Sequence, residues 1–284
     1  MLMSSAVSRK GFAFVVLSVV FSLMSASTAF ASDDYAANKS ALLAAAAAHQ
    51  SYVEIEMGNW LPVDEAEKVI DELEGSRDYW YAIRYAIDGC EYSIYYPRRA
   101  PACVTDYRLF YCCGKDHADK ANERAVKLAK LIHKKAPSNK KKQLRLLHDW
   151  LCRHVKHYEE PSGKAIKISS QEAHQAYGAL VKGRAWCSGY SEAFSLVASY
   201  LGFNTRYCTS NQHNWNEVKL GKKWLAVDAV GDDEEVDMQG ASTHVAHTYF
   251  LKSYAQFRKA DKKYWDPAVH KAIDKSLVKP HRIV

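Results

Sequence analysis

The sequence predicts an α+β fold, on three observations. Apolar residues at helical spacing begin directly after Cys187, two period-two segments flank Gly221-Lys222, and a tyrosine-rich alternating stretch occupies residues 77–113. Mixed periods of this kind, with hairpin rather than crossover connections, point to helices packed with antiparallel strands.

The first element is a leader. Arg9 and Lys10 precede an apolar run at residues 11–24, broken only by Ser18 and Ser22, and small residues lead to Ala29-Phe30-Ala31. A basic start, a short apolar centre and an A-x-A end predict a secretory signal peptide cleaved after Ala31. The run falls short of the ~20 apolar residues of a membrane span, although an uncleaved anchor is the alternative. No later segment is long and apolar enough to cross a bilayer, so no integral span is expected after cleavage.

Residues 41–48 are wholly alanine and leucine and form a helix-prone spacer. An acidic helix follows at 63–73, preceded by Pro62 and closed by Gly75. The period then becomes two: Tyr81, Ile83, Tyr85 and Ile87 alternate, Asp88-Gly89 signals a hairpin turn, Tyr92, Ile94 and Tyr96 return, and 104–111 offers a third strand. These tyrosines are expected to pack a small antiparallel meander. Ala121, Ala125, Leu128 and Ile132 share a helical face that ends at Pro137, and Ser138 is placed to cap a second helix carrying Leu144, Leu147, Leu151 and Val155. His148, His154 and His157 lie along that second helix without an i, i+4 pair and are expected at the surface or in packing, not on a metal.

The net charge is +7 over 284 residues, and Arg9 and Lys10 contribute two of it. No arginine-aromatic nucleic-acid module accompanies this modest excess, so nucleic acid is not an expected partner. The one tight basic run, Lys140 to Lys142, reads as a solvated helix start. Seven cysteines are present: Cys90, Cys103, Cys112, Cys113, Cys152, Cys187 and Cys208. In an exported chain an odd count suggests bridges plus one thiol, here three disulfides and one free cysteine. No C-x-x-C pair suggests zinc or redox chemistry, and no cofactor is called for.

Cys187 begins a helix in which Tyr190, Ala193, Phe194, Val197, Ala198 and Leu201 share a face, with Gly202 as the stop. Free N–H groups and the positive dipole end at that helix start favour a thiolate. Downstream, 213–219 reads as a strand, Gly221-Lys222 as a two-residue turn with glycine first, and 224–228 as the returning strand. This register pairs Leu220 with Lys223, Val218 with Leu225 and Trp215 with Asp228. It places Val218, Leu225 and Val227 on a core face and His213, Trp215 and Asp228 on the other. His213 and Asp228 become diagonal neighbours, ~7–8 Å apart before their side chains reach toward each other. A carboxylate there fixes the imidazole tautomer and stabilises the imidazolium. A one-residue slip would separate the two.

Residues 176–181, Trp186-Cys187-Ser188-Gly189-Tyr190-Ser191-Glu192-Ala193-Phe194, His213-Asn214-Trp215-Asn216 and 224–228 resemble, in order and spacing, the bacterial transglutaminase-like superfamily. The clear resemblance covers roughly 140–255, and Tyr249-Phe250-Leu251-Lys252-Ser253 looks like the strand after that group's catalytic aspartate. The resemblance implies a papain-like core in which a cysteine helix packs on an antiparallel sheet. It assigns Cys187 as nucleophile, His213 as general base and acid, and Asp228 as orienting carboxylate. The Cys187 N–H would be one oxyanion donor, with Gln175 or Tyr177 as candidates for the second, and Trp186 and Trp215 would line the cleft. One departure stands out: Ala229-Val230-Gly231 follow the aspartate where the family often has proline, threonine and tryptophan.

The expected organisation is a signal peptide at 1–31, a helix-plus-meander extension at 32–136, and the transglutaminase-like domain at 137–284. The expected activity is hydrolysis of peptide or side-chain amides through a thioester. The protein or peptide substrate would lie outside the cytoplasm, and the protein would be secreted or held at the cell envelope. Crosslinking to a lysine amine and a binding module with an idle triad are the alternatives. His244, His247 and the acidic residues Asp232, Asp233 and Asp237 are read as a solvated loop without metal, and 254–284 as a terminal helix.

Overall fold

The computed structural model describes residues 32–75, 87–98, 100–111, 114–158, 168–209, 213–233, 245–260 and 274–278. The leader at 1–31, the first meander strand at 77–86, Cys112, Cys113, Asp237, His244 and much of 254–284 lie outside them. The chain divides into two compact units, Met1–Lys115 and Asp116–Val284.

In the first unit, α1 (Ser32–Ala47) and α2 (Val63–Gly75) pack with an antiparallel sheet of β1 (Tyr52–Glu54), β2 (Leu61–Pro62), β3 (Ile87–Tyr95) and β4 (Cys103–Tyr111). β4 is central, with β3 along one edge and β1 and β2 along the other. Leu42, Ala45 and Ala46 of α1 and Ala66, Val69 and Ile70 of α2 are buried with Tyr92, Val104 and Tyr107 of the sheet. Such side chains each contribute about 1.5–3 kcal/mol when fully buried. The Tyr107 hydroxyl donates to Asn38 (2.8 Å) and that of Tyr92 to Glu67 (2.9 Å), so these two tyrosines pack the sheet, whereas Tyr96 is exposed and Tyr81 and Tyr85 lie outside the described residues. The turn expected at Asp88-Gly89 does not form. β3 runs through both residues, and a register shift between Ile87 and Gly89 absorbs them as a bulge. The long ladder against β4 outweighs the local turn preference of this dipeptide.

The second unit opens with α3 (Lys115–Lys135), which buries Ala118, Ala121, Ala125, Leu128 and Ile132 along one face. In α4 (Lys140–His154) the cap is Asn139, not Ser138: its side chain accepts from the Lys142 N–H at 2.9 Å. The short α5 (Ser170–Ala173) starts in a reciprocal capping box of Ser169 and Glu172. β5 (Lys156–His157) and β6 (Arg184–Ala185) form a parallel pair, and α6 (Cys187–Tyr200) follows directly. α6 is almost wholly buried against α4 and two strands of the main sheet. It ends as its glycine predicts: Gly202 takes φ +86°, and the N–H groups of Gly202 and Phe203 donate to Ser199 and Ala198.

The main sheet is antiparallel, in the order β10 (Phe250–Lys252), β9 (Lys223–Val227), β8 (Asn214–Leu220), β7 (Thr205–Thr209), β11 (Asp274–Val278). The β8–β9 register is the one read from the turn: Leu220 faces Lys223 and Val218 faces Leu225. Gly221 has φ +61° and Lys222 is not among the positive-φ residues, which are the signs of a type II′ turn. Both faces of this hairpin are covered, however. α6 covers Asn216 and Val218, whereas Trp215 and Ala226 pack with Phe257 of α7 (Tyr254–Ala260).

Five cysteines, Cys90, Cys103, Cys152, Cys187 and Cys208, form no disulfide, so the three-bridge expectation fails. Cys103, Cys152 and Cys208 are instead buried and pack as small apolar groups. Among the described residues no helix is long and apolar enough to cross a membrane.

Candidate active site

Trp186 occupies the N-cap of α6 with extended backbone and offers no side-chain acceptor to the helix. The first N–H groups of α6 therefore point past Cys187 without a cap from that residue, which favours negative charge on its sulfur. The start of the helix is fixed from behind: the Trp186 N–H donates to Ala173 O at 2.9 Å, and Gly189 lies flat against the same segment. A Cβ on Gly189 would fall 2.5 Å from Ala173 O, 2.8 Å from Ala185 Cβ and 2.9 Å from Gln175 O. Gly189→Ala is therefore expected to displace Cys187 and to cost about 1–3 kcal/mol, the range for overpacking. Thermal denaturation checks the cost, and the rate of Cys187 alkylation by iodoacetamide checks the displacement.

His213 immediately precedes β8 and Asp228 immediately follows β9, so hairpin closure brings them together. His213 Nε2 lies 2.6 Å from Asp228 Oδ2. The other carboxylate oxygen accepts from the N–H groups of Val230 and Gly231, both at 3.1 Å. The Cys187 thiol also favours the protonated form of this imidazole. Nε2 is engaged by Asp228, so a proton exchanged with the sulfur is exchanged at Nδ1. Burial of His213 opposes its protonation, but the Asp228 charge and hydrogen bond, with those of Cys187, prevail and raise it to about 11. The imidazolium is thus the resting form at neutral pH.

The other sequence candidates fall in different places. Gln175 is buried, with its backbone against the first turn of α6. The Tyr177 ring stacks on His117 (4.0 Å between centroids) and carries the Lys182 ammonium over its face, so α3 packing takes it up. Trp186 meets His157 at 5.1 Å, Tyr158 at 5.2 Å and His174 at 6.0 Å, forming an aromatic wall beside Cys187. Trp215 is in the core, although its ring still stacks on His213 at 6.0 Å.

Sequence reading missed two groups. Asn214 places Oδ1 3.7 Å from Cys187 Sγ, and Asn216 donates to Ser191 O (3.1 Å) and Ser195 Oγ (2.9 Å) of α6. Strand alternation puts both asparagines opposite Trp215, which was the available signal. The second group anchors the segment after Asp228. Asp232 and Asp233 are buried, not solvated. Asp232 accepts from His148 Nε2 (3.1 Å) and from the Tyr249 N–H (3.0 Å), while Asp233 accepts from the Tyr190 hydroxyl (2.7 Å).

His148 is fully buried, so of the two expected places, surface or packing, it takes the second. Its Nδ1 donates to Asp149 at 3.1 Å, and Asp149 also receives His247 Nε2 at 2.8 Å and Arg145 Nε at 3.0 Å. His148, Asp149 and His247 bring possible ligand atoms within 4.8 Å of one another. Arg145 Nη2, which only donates, also lies 2.9 Å from His247 Nδ1. The guanidinium thus already supplies the positive charge a metal would bring, and the group is satisfied as an ion-pair network.

Residues 126–229 match the family model of the Transglutaminase-like superfamily. A solved structure described as a crystal structure of a TGase aligns at 13% identity and a TM-score of 0.36, over 57% of this chain and 48% of that one. The chain thus spans about half the length of that structure, and no curated protein matches it. Residues 126–229 thus carry a transglutaminase-like domain, of a superfamily that includes cysteine-triad hydrolases and transferases.

Proposed function

We propose that this protein is a cysteine hydrolase that cleaves peptide or side-chain amide bonds outside the cytoplasm, through a thioester on Cys187. The observation that carries the reading is the 2.6 Å contact of His213 with Asp228, in an imidazole whose protonated form the Cys187 thiol also favours. The extracytoplasmic assignment rests on the leader pattern at 1–31.

In this reading the Cys187 sulfur attacks an amide carbonyl, and the carbonyl electron pair moves onto oxygen. Collapse of the tetrahedral adduct breaks the C–N bond, and His213 gives its proton to the departing nitrogen. Water then enters, gives a proton to His213 and attacks the thioester. The acid leaves and the thiol is restored. Asp228 holds the ring in one tautomer through both halves.

Cys187→Ala is expected to lower turnover by ~10⁴-fold or more, as removal of a triad member does. The measurement is mass spectrometry of a peptide library incubated with each protein, with and without an added primary amine. New termini or side-chain deamidation with wild type alone support hydrolysis. Amine incorporation in place of hydrolysis would move the reading to acyl transfer, and identical behaviour of the two proteins would remove it.

A further inference from the structure

We propose that the Asn214 side-chain amide is the second oxyanion donor of this site, partnered with the backbone N–H of Cys187. The proposal deepens the hydrolase reading and rests on it.

The placement follows from the sheet. Asn214 is the first residue of β8 and pairs with Thr209 at the end of β7, on the face that α6 covers. Its Oδ1 lies 3.7 Å from Cys187 Sγ, and its Nδ2 donates to Thr209 Oγ1 at 3.1 Å. It is only half-buried, like Cys187, so a substrate that reaches the sulfur also reaches this amide.

With the thiol protonated, S–H donates to Oδ1, the arrangement observed. When the sulfur is instead a thiolate beside the His213 imidazolium, a carbonyl oxygen facing it meets a negative charge. A half-turn of the amide then presents Nδ2–H to the sulfur. Thr209 makes this turn inexpensive, because a hydroxyl accepts from Nδ2 in one orientation and donates to Oδ1 in the other.

Attack joins the carbonyl carbon to Sγ, and the new oxyanion lies one bond beyond that carbon. After the half-turn Nδ2 takes the place of Oδ1, 3.7 Å from Sγ, within reach of the ~2.7–3.1 Å separation that oxyanion stabilisation requires. Nδ2–H therefore donates to charge that develops during attack. Collapse of the adduct returns the electron pair to the carbonyl and weakens that bond. No proton leaves Asn214 in the cycle.

The test compares two reactions of the same sulfur in the full chain. Acylation by p-nitrophenyl acetate passes through an oxyanion, whereas alkylation by iodoacetamide is a displacement that does not. Asn214→Ala and Asn214→Leu are each expected to slow acylation of Cys187 by ~10²–10³-fold, the loss typical of one oxyanion donor. Alkylation by iodoacetamide should change less than ~3-fold if the donor acts only on the oxyanion. Acylation at the wild-type rate in either variant overturns the assignment. So does an equal fall in both reactions, which would make Asn214 a holder of the thiol. Failure of wild type to acylate faster than Cys187→Ala overturns the hydrolase reading itself, and this proposal with it.

Discussion

Asp228→Asn is expected to lower kcat/KM by ~10⁴-fold, the cost of a wrong tautomer in such a triad. The geometry says why an isosteric amide fails. The Val230 and Gly231 N–H groups both require an acceptor at the Oδ1 position, 3.1 Å away. The amide must keep its oxygen there, so its NH₂ faces His213 Nε2. Two donors cannot share that contact, and the ring moves its proton to Nδ1, toward the sulfur. It can then no longer take the proton of the thiol. The pH dependence gives a second readout. In wild type the raised His213 remains an imidazolium until the pH approaches about 11. Amide turnover should therefore fall only as the imidazolium loses its proton near that limit. Burial alone lowers the basicity of His213. In Asp228→Asn the residual turnover should fall at lower pH than in wild type. An unchanged alkaline limit in the variant would refute the orienting role.

The parts of this site that sequence made legible are the parts fixed by local physics. A glycine-first turn demands one backbone conformation, and alternation does the rest, so the β8–β9 register follows residue by residue. The bounds of α6 follow likewise from an apolar stripe and a left-handed glycine. Asn214 and Asn216 were missed because the hairpin was expected to have one core face, whereas α6 and α7 cover both. Asp232 and Asp233 were missed for a different reason. Their burial depends on His148, 84 residues away, and on Tyr190, 43 residues away, and no window of sequence contains both ends. Asp88-Gly89 shows the converse error, a strong local signal overridden by the strand beside it.

The same long-range contacts lead to the second large effect. His148→Leu is expected to destabilise the protein by about 3–5 kcal/mol, the cost of leaving a buried charge without its partner. Asp232 is fully buried, so the loss of His148 Nε2 leaves its carboxylate with the Tyr249 N–H and little access to water. For a chain of this size the fall in Tm is on the order of 10 °C. Replacing both members, as His148→Leu with Asp232→Leu, should recover part of the loss, because the charge is then absent rather than stranded. Burial works against the charge on His148. Its hydrogen bonds to Asp149 and Asp232 and its contact with Cys152 outweigh burial, and hold it well above its ordinary 6.5. A raised folded value means that its contribution is complete below pH 6.5 and declines as pH rises toward the folded value. Burial also opposes the charge on Asp149, but His148, His247 and Arg145 hold it well below its ordinary 3.8. Its contribution is complete above that pH and lost on acidification. Stability measured by urea denaturation should therefore be greatest between about 4 and 6.5 and fall on the alkaline side in wild type. That alkaline slope should flatten in His148→Leu, and an equal slope in both proteins would exclude His148 as its source. Asp232 follows Asp228 by four residues, so the same bond that stabilises the fold also holds the loop in which Asp228 orients His213.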